Sequence, residues 1–462
     1  MRLKKFLING AFLTAAAFIT QVLGMIFRAY MSSRIGAEAL GLYQLIVTVY
    51  AFAVTVSASG ITLLVTRAVT EAAALKNDGC IKYIVSKCMS ISLAASIITG
   101  LLLFLLSGFI SQNILRQKSA EQALKILSLS LPFIAISACI RGYFYAVRQA
   151  FKTAIEQLIE QITEFAVFAG VTGISAPAEL GDACSAAALG AVASEAVTAV
   201  YSFVLYRLDI KRYKPFCGTY KIKNKFFSIA LPVTLSSCLR SGLSVIEHST
   251  IPASLERYGH SKQNALHSYG IVIGMVMPLL SFPAIVIFSF ASLIIPEISD
   301  VYARTDKKQI QYITSRAIKT VLVFSIPVAC IFFFFGNELG MLVYQNESAG
   351  VYLRIFAFTA PLMYLDKIVD GILKGLNEQL HYLAYNIMDS FIRVILVIIL
   401  VPRFGIAGII ITVYVSSIFN TGLSLLRLIK VTEIKIKVLW ITAPLIISIL
   451  ILFFIRNIPF FK

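Results

Sequence analysis

Charge is scarce in this chain. Only 14% of its 462 residues are Asp, Glu, Lys or Arg, against about 25% in an average soluble domain. That shortfall excludes a disordered chain and an ordinary soluble enzyme. Four histidines and seven cysteines are too few for a disulfide scaffold. They form no H-E-x-x-H pair and no clustered Cys/His set, and no Walker loop is present, so neither a metal-dependent hydrolase nor an ATPase is indicated. No cofactor and no metal are expected. What the chain has instead is apolar length: 58% hydrophobic residues, a mean hydropathy of +0.84, and long unbroken apolar runs. Such runs read as membrane-spanning helices and not as the alternating pattern of an outer-membrane barrel.

Thirteen runs reach the roughly 20 residues that a span requires. They are 7–31, 42–66, 88–110, 124–147, 153–174, 184–206, 226–250, 267–296, 312–335, 351–373, 380–401, 405–426 and 438–456. The opening Met1-Arg2-Leu3-Lys4-Lys5 resembles the start of a signal peptide. The run that follows is long, contains Gln21 and Arg28 and has no convincing cleavage site, so it is read as the first span. The formal charge of +18 is a loop property, and nucleic acid is not an expected partner. With basic residues at span ends counted to the nearest loop, 26 lie on the side of the N-terminus and 10 on the other. This asymmetry predicts a cytoplasmic N-terminus in the cytoplasmic membrane. The richest loop, Arg207 to Lys225, falls near the middle of the chain. Cys184 is predicted outside and Cys217 inside, so these two do not pair.

The chain also repeats itself. Arg34-Ile35-Gly36 followed by Ala39-Leu40 and Tyr43 returns as Arg257-Tyr258-Gly259 followed by Ala265-Leu266 and Tyr269. Pro132 precedes Arg141-Gly142 at the spacing with which Pro361 precedes Asp370-Gly371. The offsets are 223, 226 and 229 residues. Three matches in one order point to an internal duplication. Six spans return the chain to its starting side, so the halves should be parallel repeats. The expected fold is an all-α membrane protein of two parallel six-helix bundles, 1–206 and 226–426, joined by a basic cytoplasmic linker, 207–225. A basic loop and one extra C-terminal transmembrane helix occupy 427–462.

Five basic residues fall inside spans: Arg28, Arg141, Arg240, Lys367 and Arg393. A charge at the bilayer centre costs roughly 2.5–3.5 kcal/mol on insertion scales, so each needs a cavity or a partner. Arg28 either binds a phosphate through its planar guanidinium or snorkels to the outer interface. Arg240 is a phosphate-ligand candidate, or the ion-pair partner of Glu247 one heptad on. His248 is expected at the outer interface. Glu156, Glu160 and Glu164, with Gln157 and Gln161, make one helical stripe that must face protein or water. Glu160 and Glu164 are expected to line a polar cavity with a proton or cation site, Glu156 to lie at the interface. Pairing with Arg141, Arg148 and Lys152 is the alternative. Glu195, in an alanine-rich helix, is expected to be buried against a neighbour, structurally or functionally. Arg141 and Asp370 occupy equivalent repeat positions with opposite charge and are a candidate inward-side gate. Asp366, Lys367, Asp370 and Lys374 are alternatively paired along one helix, as Asp389 and Arg393 are expected to be. Pro278 and Pro283 share one long span with Gly270 and Gly274 and predict a bend there.

Three segments carry a family resemblance: L-G-M-I-F-R-A-Y from Leu23 to Tyr30, R-I-G-A-E-A-L-G-L-Y-Q from Arg34 to Gln44, and S-G-I-T-L-L-V-T-R from Ser59 to Arg67. With Leu293-Ile294-Ile295-Pro296-Glu297 in the second half, they resemble the stage V sporulation protein B and polysaccharide-exporter branch of the multidrug/oligosaccharidyl-lipid/polysaccharide flippase superfamily. The resemblance implies a V-shaped, MATE-like fold. It also implies transfer of a lipid-linked, pyrophosphate-bearing sugar to the outer leaflet, with cavity arginines in the first helix where Arg28 lies. A single span after the twelve core helices departs from related peptidoglycan-precursor flippases, which carry a pair. Three readings follow. One is a flippase for a lipid-linked oligosaccharide or peptidoglycan precursor, with membrane lipids and possible wall or polysaccharide synthases as partners. The second is a cation-coupled drug or metabolite exporter using Glu160, Glu164 and Glu195. The third is a non-transporting organiser of wall synthesis. No acidic residue occurs between Arg2 and Arg34, where drug-extruding relatives often place one.

Overall fold

The structure is a computed structural model and describes residues 2–74, 78–174, 179–211, 230–304, 306–435 and 437–456. Cys217 and most of the basic loop lie outside the described residues. Those described are almost wholly helical, with no strand among them. By packing, the chain divides into two compact units. The first comprises Met1–Phe27 and Arg34–Ser249, the second Arg28–Ser33 and Thr250–Lys462.

The first unit begins with α1 (Arg2–Ala58), whose helix runs through a left-handed Gly36 at φ 74°. At about 1.5 Å per residue this element is far too long for one crossing, and it covers the first predicted span and most of the second. Glycine is suited to the break because it adopts positive φ without a Cβ clash. Then follow α2 (Ile61–Ala74), α3 (Asp78–Phe109), α4 (Ala120–Ser128), α5 (Leu131–Ala146), α6 (Ala150–Ile174) and α7 (Leu180–Ile210). Its core joins Leu64, Val65 and Ala68 of α2, Ile84 and Cys88 of α3 and Ile140 and Tyr143 of α5. Small residues let these helices approach. A Cβ on Gly142 would stand 2.7 Å from the Thr62 carbonyl oxygen, and the Thr66 hydroxyl donates to the Gly142 carbonyl at 3.1 Å. In a bilayer, such packing and interhelical hydrogen bonds replace the hydrophobic drive of water. On the outer face of α3, Ile97, Ile98, Leu101, Leu102 and Leu105 are exposed, as a lipid-facing surface requires.

Helix α8 (Leu231–Tyr258) carries the seventh predicted span. The eighth is broken into α9 (Lys262–Tyr269), a π-helical stretch over Gly270–Val276, α10 (Met277–Ser281) and α11 (Ala284–Ala303), consistent with the predicted bend at Pro278 and Pro283. The second unit continues with α12 (Lys307–Phe334), α13 (Gly336–Tyr344), α14 (Glu347–Phe356), α15 (Thr359–Gly375), α16 (Gln379–Phe404), α17 (Ile406–Thr432) and α18 (Leu439–Arg456).

The duplication is written into the backbone. Left-handed residues recur at matching places: Gly36 and Gly259, Arg116 and Gln345, Arg148 and Asn377. These pairs keep the sequence offsets of 223 and 229. Both units bend one span at the same point, by 46° between α4 and α5 and by 58° between α14 and α15. Ser299 donates to the Gly375 carbonyl 76 residues on, as Thr66 does to Gly142.

Among the described residues, each predicted span falls mainly on helix. Seven helices among the described residues are long and apolar enough to cross a membrane, nine if each bent pair is one span. The difference from thirteen has physical causes. One apolar stretch, Ala15–Ala74, is 60 residues long, enough for two crossings. Helix α6 is interrupted by three glutamates, α8 carries Arg240, Glu247, Glu256 and Arg257 among serines and threonines, and Leu439–Leu452 is short. The protein is a multi-pass membrane protein.

Candidate functional site

The acidic stripe of α6 lies inside the first unit. Glu156 is 1% exposed and sits 3.7 Å from Arg141 Nε of α5. Neither of its oxygens has a hydrogen-bond partner among the described residues. Glu156 is thus buried within the protein, with α5 supplying its counter-charge. Glu160 and Glu164 are half-buried one and two turns on. Glu195 of α7 lies within electrostatic range of Glu160, Glu156, Glu164 and Arg141. Gly190 allows this convergence of α6 and α7, since a Cβ there would stand 3.0 Å from the Glu164 carbonyl oxygen. From α1, Tyr50 comes within range of Glu195, Glu160 and Glu164. Its hydroxyl lies 2.5 Å from Ser130 Oγ at the bend between α4 and α5. Ser130 spends its own proton on the Leu127 carbonyl, so Tyr50 is the donor of that pair. Three carboxyl groups, those of Glu156, Glu160 and Glu195, lie in range of the Arg141 guanidinium, with Glu164 in range of Glu195, and in a low-dielectric interior such an excess of carboxyl groups suits bound protons or monovalent cations. Among the described residues no group of three or more His, Cys, Asp or Glu is placed to hold a metal ion.

Asp370 lies in the second unit beside Asp366, with Asp389 also in range. Asp366 accepts from Asn420 Nδ2 at 3.1 Å and stands 3.5 Å from Lys367 Nζ. Asp389 accepts from the Ser416 hydroxyl at 2.6 Å. Asp389 is the residue that the 229-residue offset matches to Glu160, so each unit places a carboxyl at this point of the repeat. An apolar cavity of about 600 Å³ lies between α12, α15, α17 and α18, lined by Leu322, Phe358, Leu365, Ile418 and Leu445.

The arginines have different surroundings. Arg28 is half-buried and belongs to the second unit. It makes no hydrogen bond or ion pair among the described residues and lies within electrostatic range of Tyr344. Arg240 on α8 is exposed and likewise unpaired among the described residues, so it is not bonded to Glu247, which is buried. His248 is half-buried beside it.

Sequence reasoning missed several polar anchors. Tyr143 donates to Asp209 at 2.5 Å, and Lys152 lies 3.6 Å from the same carboxylate. Glu378 takes both Arg427 Nη2, at 2.9 Å, and His381 Nδ1, at 2.7 Å. Tyr50, Tyr344 and Asn420 are single polar residues within apolar or mixed runs and carry no spacing signal. Asp389 was reachable by applying the repeat offset to Glu160.

Comparison with known proteins places these features in context. The family described as "Polysaccharide biosynthesis protein" matches residues 6–301, well over half of the chain. A second, described as "Lipid II flippase MurJ", matches residues 268–460. Stage V sporulation protein B of Bacillus subtilis (strain 168) is 26% identical over 446 residues, covering 95% of this chain and 86% of that protein. The solved structure of lipid II flippase MurJ in an inward closed conformation is similar with a TM-score of 0.73 at 14% identity, covering 96% of this chain and 93% of that one. An inward-facing multidrug resistance MATE family transporter is similar with a TM-score of 0.70 at 15% identity, covering 89% and 95%. The last two likenesses establish the fold.

Proposed function

The chain belongs to the polysaccharide biosynthesis protein family, and from that premise we propose that it is a flippase for a lipid-linked, pyrophosphate-bearing saccharide. The cargo class is that of peptidoglycan precursors, moved by alternating access from the inner to the outer leaflet of the cytoplasmic membrane. The basic-residue asymmetry supports a cytoplasmic N-terminus. The observation that carries the reading is Arg28: a half-buried guanidinium in an apolar helix, with no counter-charge among the described residues. A fixed cation held in this way suits an anionic passenger, whose oxygens it meets with charge-assisted, bidentate hydrogen bonds. Arg240 and Glu247 are further candidates for the passenger's path. The names of the relatives support the cargo class, since one is a stage V sporulation protein and one family match is a lipid II flippase. A role in spore-cortex or wall synthesis, alongside wall or polysaccharide synthases, belongs to the same proposal.

Transport needs no bond to be made or broken. An inside-negative potential favours outward movement of an anion by about 2.3 kcal/mol per charge per 100 mV. The Glu160, Glu164 and Glu195 cluster supplies a site for a counter-moving proton or monovalent cation. Arg141, through its pair with Glu156, ties this cluster to α5. Arg141 and Asp370, at matched repeat positions, stay candidates for the inward gate. The second reading, a cation-coupled multidrug exporter, is favoured by the same cluster and by the MATE-like fold. It leaves Arg28 unexplained, because an organic cation gains nothing from it. The discriminating experiment reconstitutes the protein in liposomes and follows a fluorescent polyprenyl-pyrophosphate saccharide to the opposite leaflet. Arg28→Ala should slow its movement roughly ten- to a hundredfold and leave a cationic dye unaffected. Loss of dye export with normal saccharide movement would select the second reading.

A further inference from the structure

The second unit holds a second hydrogen-bond donor without an acceptor near Arg28. Tyr344 closes α13 and is 4% exposed. Its hydroxyl is buried with no hydrogen-bond partner among the described residues. An unmade hydrogen bond of this kind is unfavourable, and native proteins keep few of them. Removing the oxygen would relieve the molecule, so its presence asks for a reason outside the packing of the unit.

The position of Tyr344 is tightly set. Helices α13 and α14 meet at a corner where a Cβ on Gly340 would stand 2.6 Å from the Gly350 Cα. Gln345 turns the chain in the left-handed region at φ 51°. Asn346 then caps α14 by accepting from the Ala349 amide at 2.9 Å. Segment Arg28–Ser33 packs with this unit, and its Ser32 hydroxyl lies 3.9 Å from Met275 Sδ. Two donors are therefore presented from packed elements, one a permanent cation and one a neutral hydroxyl, and neither has an acceptor. The charge of Arg28 reaches Tyr344: burial pushes the Tyr344 hydroxyl up to about 12, against the pull of that guanidinium. At neutral pH the hydroxyl therefore keeps its proton and remains a donor.

We propose that Tyr344 is a positioning donor for the passenger, completing with Arg28 a two-donor site for a pyrophosphate oxyanion. The proposal rests on the reading of Arg28 given above and adds a residue to it. Arg28 supplies charge and a planar fork. Tyr344 supplies a single directed hydrogen bond, which orients the diphosphate without adding a second charge to be released later. A site with one cation and one neutral donor holds an anion firmly enough to select it and loosely enough to let it go.

The test uses the full-length protein in nanodiscs, with farnesyl pyrophosphate and inorganic pyrophosphate as probes. Tyr344→Phe should leave the melting temperature of the unliganded protein unchanged or raise it, because only an unpaired atom is lost. It should raise the farnesyl pyrophosphate concentration for half-saturation about tenfold. Arg28→Ala should raise it at least as far, and the double variant should add little to Arg28→Ala alone, since the two donors serve one group. A weaker but parallel pattern with inorganic pyrophosphate would assign recognition to the diphosphate, and binding of farnesyl pyrophosphate alone would assign it to the lipid-linked form. As a second measurement on a protein with intact packing, a fluorinated tyrosine at 344 should show a fluorine NMR shift on titration, absent in Arg28→Ala. Wild-type binding by Tyr344→Phe and a silent fluorine signal, with Arg28→Ala impaired, would overturn the role of Tyr344 and leave that of Arg28 standing. Wild-type binding by both variants would remove both.

Discussion

The most informative single residues are those whose chemistry the fold leaves incomplete. Arg28 is one. A bidentate, charge-assisted contact contributes about 1.5–3 kcal/mol, so Arg28→Ala should slow saccharide movement roughly ten- to a hundredfold. Arg28→Lys should restore only part, because a lysine keeps the charge and loses the fork. Glu156 is the opposite case, a residue whose partner is present. With Glu156 buried and Arg141 Nε 3.7 Å away, Arg141→Gln should lower stability by roughly 3 kcal/mol, since the buried carboxylate loses its mate. The readout is thermal unfolding in detergent. Glu160→Gln should leave stability nearly intact and shift the pH or sodium dependence of transport, if that carboxyl carries the counter-ion. The stripe of three glutamates was legible from its spacing. Its division of labour was not, because Arg141 is distant in sequence and only the approach of α5 to α6 decides which glutamate it meets.

At the scale of elements, small residues set how closely the helices lie. Gly142→Ala places a methyl 2.7 Å from the Thr62 carbonyl oxygen and 2.9 Å from Val65 Cβ. Such overpacking costs about 1–3 kcal/mol. Gly173→Ala, on the exposed side of α6 with nothing within 4 Å, should instead stabilise by roughly 0.5–1 kcal/mol through better helix propensity. Melting curves of the two variants side by side should move in opposite directions. The helices themselves were plain in the sequence, because a span must be a long apolar run. The repeat was plain as well, and it anticipated the paired left-handed residues Arg148 and Asn377 only through their common offset. What pattern could not supply was side-chain company. Tyr344 ends a short helix between spans, and nothing in its neighbours' identities reveals that it lies near residue 28. The same holds for Tyr143 and Asp209, 66 residues apart, which fasten the end of α7 to α5.

At the scale of the whole molecule, a scarcity of charge, a strong basic asymmetry and a duplicated helical plan combine into a transporter, and the proposal assigns its specificity to its few charges within spans. If the passenger is anionic, its outward movement should quicken when liposomes are set inside-negative and slow when the potential is collapsed. The most direct measurement is the exposure of a fluorescent polyprenyl-pyrophosphate saccharide on the far leaflet of proteoliposomes, compared between the native protein and Arg28→Ala. The account predicts rapid exposure with the native chain and exposure slowed at least about tenfold with the variant, at equal amounts of folded protein. Equal exposure in both would contradict it, because Arg28, half-buried and unpaired among the described residues, would then have no passenger to meet.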